Sequence, residues 1–190
     1  MKRFALLLAL AALSGACTAD VQDVAGDDEA MVQEDPIVLA TDTKIKNAIV
    51  KASTGVYYLS ESDHPLVWIR STQVATAPAN AAFIHRAFNA VTNNDAMADK
   101  PLSQLKSETV SFEAFAARLK PVAGEDADNF AYHQQMTKVL DLVRTNLKNP
   151  IVIRLGRPQG NILVGAISVY FVGTLPSGKI GGLFTVAVET

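Results

Sequence analysis

ILVGAISVYFVG (Ile162–Gly173), TLPSG (Thr174–Gly178) and KIGGLFTVAVET (Lys179–Thr190) decide the fold of this chain. Two long, mostly apolar runs flank a link with Pro and Gly where a tight turn wants them. They read as hairpin-joined strands, and IVIRL (Ile151–Leu155) just before them as a third. The pair Gly181-Gly182 inside the last run marks a bulge or a close backbone approach.

Upstream, the period changes from strand to helix. From Asp128 to Leu147, Met136, Leu140, Val143 and Leu147 recur at helical spacing. Asp126 and Asp128 lie at the start of this segment, and Arg144 and Lys148 near its end, as the helix dipole favours. Asn149-Pro150 stops it. A short helix over Phe112–Leu119 is capped by Ser111 and ended by Pro121 and Gly124. Ala79–Val91 is a further helix, and 92–108 reads as loop. Lys44–Ala52 puts Ile45, Ala48, Ile49 and Ala52 on one helical face, with Thr41, Asp42 or Thr43 as cap and Gly55 as stop.

Between that first helix and the rest stand VYYL (Val56–Leu59) and LVWIR (Leu66–Arg70), two short strands that read as one hairpin with SESDHP (Ser60–Pro65) at its tip. Their rings, Tyr57, Tyr58 and Trp68, suit packing. The expected order is α-β-β-α-α-α-β-β-β. Helices gathered mid-chain and hairpin-linked strands at the end point to an α+β fold with a mainly antiparallel sheet.

The N-terminal end has a different character. Residues 1–16 have a basic start (Lys2, Arg3), an apolar run from Phe4 to Leu13 and then small residues, the pattern of a secretory signal. Ten apolar residues are too few to span a bilayer. Cys17, the only cysteine, follows directly, and Leu13-Ser14-Gly15-Ala16-Cys17 resembles a bacterial lipobox, with Ser14 where Leu is usual. Cleavage near Ala16 or Ala19, giving an unanchored exported protein, is the alternative. Residues 17–42 hold eight acidic side chains and no Lys or Arg, and read as an acidic tether that cannot support a core. Residues 43–190 form the domain. They keep 15 of the 17 basic and 11 of the 19 acidic side chains, a formal +4. The basic residues are scattered, without the aromatic interleaving of a nucleic-acid platform, so direct nucleic-acid binding is not expected.

Familiar catalytic signatures are missing from the sequence. There is no His-x₃-His pair, CxxC, P-loop, GxGxxG or G-x-S-x-G. Ser60 or Ser62, His133 and Asp63 make a triad only on paper. Of the other histidines, His64 reads as a turn residue and His85 stands alone. SESDHP itself admits two readings from its residues: a solvated turn, or a set of oxygens aimed at a partner.

Two stretches resemble the nuclease A inhibitor family. One is Gly55–Pro65, GVYYLSESDHP, after a short amphipathic helix. The other runs from Asn146-Leu147-Lys148-Asn149-Pro150 through Ile153-Arg154-Leu155-Gly156 and Val169-Tyr170-Phe171-Val172-Gly173 to Val188-Glu189-Thr190. Residues 71–125 show little likeness, and the segment around Arg157–Gly165 is longer than in the family. The resemblance implies an α-β-α sandwich like the PR-1 fold. It implies a protein that is no enzyme, has no cofactor or metal of its own, and blocks a metal-dependent, sugar-non-specific endonuclease. The residues that would reach the nuclease's divalent cation are Glu61 and the terminal carboxylate of Thr190, with Ser60, Ser62 and Asp63 holding the turn. Glu189 is left at the rim. With the N-terminal signals, the expectation is an outer-membrane or periplasmic lipoprotein, anchored through Cys17, that restrains a secreted or periplasmic nuclease. The rival expectation is an envelope lipoprotein that keeps the fold as a binding module only.

Overall fold

In the computed structural model, residues 39–88 and 100–190 are described, and all fall within one unit, Asp35–Thr190. The expected signal segment 1–16, Cys17, the tether as far as residue 38, and residues 89–99 lie outside the described residues.

The three C-terminal strands are the frame. β5 (Lys148–Gln159), β6 (Ile162–Thr174) and β7 (Lys179–Glu189) form an antiparallel meander. The two-residue turn Gly160-Asn161 joins the first two, with Gly160 at φ +58°. The second link is tight as expected: Leu175 and Lys179 bond across it, Leu175 N to Lys179 O at 2.8 Å. β6 and β7 are buried on both faces, so their apolar runs are continuous rather than alternating. β3 (Val67–Val74) adds to the outer edge of β7, and β4 (Lys106–Ser111) to the outer edge of β5, giving the order β3-β7-β6-β5-β4.

Gly182 shows why the glycine pair is there. A Cβ at that position would lie 2.0 Å from the carbonyl oxygen of Phe171 and 2.9 Å from Cα of Val172. The neighbouring strand is that close, and backbone cannot move aside as a side chain can.

Helices cover both faces of the sheet. On one face α1 (Asp42–Ser53), α3 (Phe112–Arg118) and α4 (Ala127–Asn146) supply Ile45, Ile49, Phe115, Met136, Leu140 and Val143 to a core with Val169, Phe171 and Leu183. Phe115 packs edge-on against Phe171, ring centroids 5.2 Å apart. On the other face α2 (Ala81–Phe88) brings Ile84 and Phe88 against Ile153, Tyr170 and Ile180. The fold is therefore α+β, with a mainly antiparallel sheet between helices.

The helix boundaries follow their caps. Thr41 accepts from Lys44 N, Ser111 from Ala114 N and Asp126 from Asn129 N. Leu39 N donates to Asn146 Oδ1 at 2.6 Å, so the fold takes in the last residues before 43. Asp42 is the anchor of α1: its carboxylate accepts from Ser177 N and Oγ in the β6–β7 link and lies 3.6 Å from Arg70.

Four expectations are corrected. LVWIR does not pair with VYYL across SESDHP. Tyr57 and Tyr58 form β1 (Tyr57–Tyr58), which pairs with β2 (His64–Pro65), while β3 leaves to pair with β7. His64 is thus a strand residue and not a turn residue. Residues 106–108, read as loop, begin β4, whose inward positions are Lys106, Glu108 and Val110. An edge strand with a single apolar inward residue carries no apolar alternation to read. Of the three rings, Tyr58 and Trp68 pack on the core, whereas Tyr57 is 49% exposed.

Candidate functional site

The excursion from Leu59 to Asp63 has little apolar surface to hold it. Its position is set by hydrogen bonds to the end of β7. Val188 N donates to Ser60 Oγ at 3.1 Å, and Glu61 N donates to Val188 O at 3.3 Å. The loop therefore continues the ladder on the side of β7 that β3 has left. Ser60 Oγ also donates to Ser62 O at 2.8 Å, which closes the turn. Leu59 N donates to the Tyr132 hydroxyl of α4 at 3.4 Å, and Thr185 Oγ1 donates to His64 O at 3.2 Å, so both ends of the excursion are tied down.

These ties bring Glu61 and Thr190 together from 129 residues apart. Thr190 N donates to Glu61 Oε1 at 3.2 Å and Thr190 Oγ1 to the same oxygen at 2.6 Å. Both residues are exposed. Among the described residues Glu61 Oε2 takes no hydrogen bond. Of the three residues expected to hold the turn, Ser60 does so through its hydroxyl. Ser62 and Asp63 are exposed, and their side chains make no hydrogen bond among the described residues.

Behind this pair lies a charged group that the sequence reading passed over. Arg154 of β5 donates Nη1 to Glu108 Oε2 at 2.9 Å and Nη2 to Glu189 Oε1. Lys106 Nζ stands 3.6 Å from Glu108 and also donates to the Asn161 carbonyl. Glu189, expected at the rim, keeps a side chain 44% exposed and is also bonded to Arg154. The one sequence signal for it was an Arg in the middle of an apolar strand, since a buried-strand Arg needs a carboxylate. The carboxylates of Glu61, Glu189 and Glu108 gather at this end of the sheet, with Arg154 and Lys106 among them and Arg118 close enough to act on Tyr58.

Tyr58 and Tyr132 flank the group. Burial pushes both phenols above their ordinary range; for Tyr58 the Arg154 guanidinium opposes the shift, and for Tyr132 the bond from Leu59 does. At the start of α4, the Asn129 backbone N–H holds the Asp126 carboxyl below its usual range.

The paper triad does not assemble. The His133 ring bonds Glu125 Oε2 at 2.8 Å through Nδ1, Ser60 donates to Ser62 O, and the His85 ring bonds the Lys100 carbonyl at 2.9 Å. Among the described residues no three His, Cys, Asp or Glu side chains gather as a metal cluster.

The fold and this rim are those of an α+β domain that displays oxygen donors at one end of its sheet. The family model described as nuclease A inhibitor-like protein matches residues 43–190. The chain belongs to the nuclease A inhibitor-like family, which implies a nuclease as its binding partner and an inhibitor's role rather than an enzyme's. A comparison with curated proteins finds no match.

Proposed function

We propose that this domain inhibits a metal-dependent, sugar-non-specific endonuclease by presenting Glu61 and the terminal carboxylate of Thr190 to the enzyme's divalent cation. The observation that carries the reading is the pair of hydrogen bonds that Thr190 donates, from N and from Oγ1, to a single oxygen of Glu61. One carboxylate oxygen is used to fix the geometry, and the other is left for a ligand. A nuclease site binds phosphate oxygens around a hard cation, and Mg²⁺ accepts oxygen donors while keeping part of its water shell. Two carboxylates held on one exposed rim mimic that ligand set. They are too few to hold an ion without the partner's own ligands. Ser60 supports Glu61 from behind, and Ser62 and Asp63 form the adjoining contact surface. The exposed Glu61 carboxylate beside Thr190 favours approach to a cationic centre.

The same proposal includes export. The basic-apolar-small pattern of residues 1–16 and the single Cys17 support a lipid-anchored envelope protein that restrains a secreted or periplasmic nuclease.

The test is inhibition of purified ββα-metal nucleases on plasmid DNA with Mg²⁺. Stoichiometric inhibition is expected. Glu61→Ala, and separately a few residues added after Thr190, weaken it by roughly 30-fold or more, about the 2 kcal/mol of a hot-spot residue. Unfolding midpoints near that of the parent show that folding is not the cause. No inhibition of several such nucleases at micromolar protein overturns the proposal and leaves a binding module that shares only the fold.

A further inference from the structure

We infer that Arg154 is a positioning residue for Glu61, acting through Glu189 and Thr190; the inference rests on the inhibitory reading of Glu61 given above. Arg154 links the far edge of the sheet to the end of β7. Its guanidinium reaches Glu108 on β4 with one nitrogen and Glu189 on β7 with another, spanning β6 between them. The side chain is only 18% exposed. A planar fork with both arms engaged, and largely shielded from water, has little freedom of direction. On the β4 side it is fixed by the direct cross-strand pairing of Arg154 with Glu108. The adaptable member of the chain is therefore Glu189.

Glu189 is also the last residue of the ladder, paired with Gly165. Strand ends fray unless something holds them. Arg154 draws the Glu189 side chain onto the face that carries Ala187, Val169 and Val152. Successive side chains along a strand point to opposite faces. Fixing Glu189 on that face therefore fixes the way in which Thr190 leaves the strand, and Thr190 is what grips Glu61. Charge acts in the same direction. Without Arg154, Glu189 would lose the cation bonded to it while sharing one rim with the Glu61 carboxylate, and mutual repulsion would push the end of β7 away from the loop.

The experiment reads the isolated protein and the inhibited nuclease in parallel, with Arg154→Met, Arg154→Lys, Glu189→Ala and the Arg154→Met/Glu189→Ala pair. Hydrogen exchange of the Thr190 amide, which bonds Glu61, reports positioning without any partner. In Arg154→Met this amide is expected to exchange roughly ten-fold faster, and inhibition to weaken by about the same factor, the scale of one charge-assisted hydrogen bond. Amides of Phe171 and Leu183 in the sheet interior stay as protected as in the parent. Arg154→Lys restores only part, because an ammonium cannot fork to both carboxylates. In the pair, removing Arg154 after Glu189 adds less than about two-fold, since both act through one contact. Should Arg154→Met fail to fold, Arg154→Lys and Glu189→Ala carry the same comparison. Thr190 exchange unchanged from the parent, or effects of the two substitutions that simply multiply, would overturn the inference. A protein whose Thr190 amide responds as expected but which inhibits no nuclease keeps the positioning role and loses the inhibitory one.

Discussion

The β5–β7 meander and the Leu59–Asp63 excursion are built by different forces. In the meander, Val169, Phe171, Val172, Ile180 and Leu183 are fully or almost fully buried, and the strands hold together through area removed from water. In the excursion Leu59, Glu61, Ser62 and Asp63 are exposed, and place is kept by a few hydrogen bonds to Val188, Thr190 and Tyr132. The first region sets whether the chain folds. The second sets where one carboxylate points. A substitution in the meander should therefore cost stability first, and one in the excursion should cost binding first.

Gly182→Ala tests the meander most severely. The added methyl meets backbone on both contacts nearest to it, so strand separation must change across the centre of the sheet. The expected cost exceeds about 3 kcal/mol, a large share of the total stability of a single domain. Urea unfolding measures it, and a near-parental midpoint would show that β6 and β7 are less constrained than described.

Ser60→Ala probes the excursion. Val188 N loses its acceptor and the turn loses its closing bond. About 1 kcal/mol of stability should disappear, because both bonds lie near water. Inhibition should fall further than that, since Glu61 loses its register against Thr190. Equal losses in the two measurements would mean that the loop contributes to the core as the meander does.

The smallest effect is expected at Asp126, which neither region contains but which starts the helix that Tyr132 extends from. Hydrogen bonds from Asn129 lower its carboxyl pKa in the folded state. A group depressed on folding stabilises at pH above its unfolded value, near 4, and that contribution is lost as pH falls through the lower folded value. Protection factors of amides in the first turn of α4, taken relative to the intrinsic exchange rate at each pH, should thus fall below about pH 4, while those of the meander amides respond only to global unfolding. Asp126→Asn, which can still cap, should remove this pH dependence with little change at neutral pH.

Much of the fold was legible locally. The helix read over Lys44–Ala52, the Ser111 cap, the long helix before β5 and the three final strands all follow from period and punctuation within a window of a dozen residues, and the structure adds Asp126 as a cap. β4 was not legible, because its inward residues Lys106 and Glu108 are polar and are satisfied by Arg154 and Asn161 from elsewhere in the chain. The pairing of β1 with His64-Pro65, and the departure of β3 to β7, were hidden for another reason: strands of two residues carry too few side chains to show alternation. Glu61 and Thr190 were named as a pair from family likeness. Their hydrogen bonds, and the part of Arg154 and Glu189 in them, left no mark in spacing.

The sequence by itself determined which segments bury an apolar face, where those segments start and stop, and that a short run rich in oxygen atoms stands clear of them. Those properties depend on backbone preferences and on side-chain period, and both act between near neighbours. Only the tertiary structure decided that this run meets the last residues of the chain, that β7 lies between β3 and β6, and that one arginine ties β4 to the end of β7. Such contacts join residues tens to more than a hundred positions apart through single hydrogen bonds, and a single bond imposes no pattern on the sequence around it.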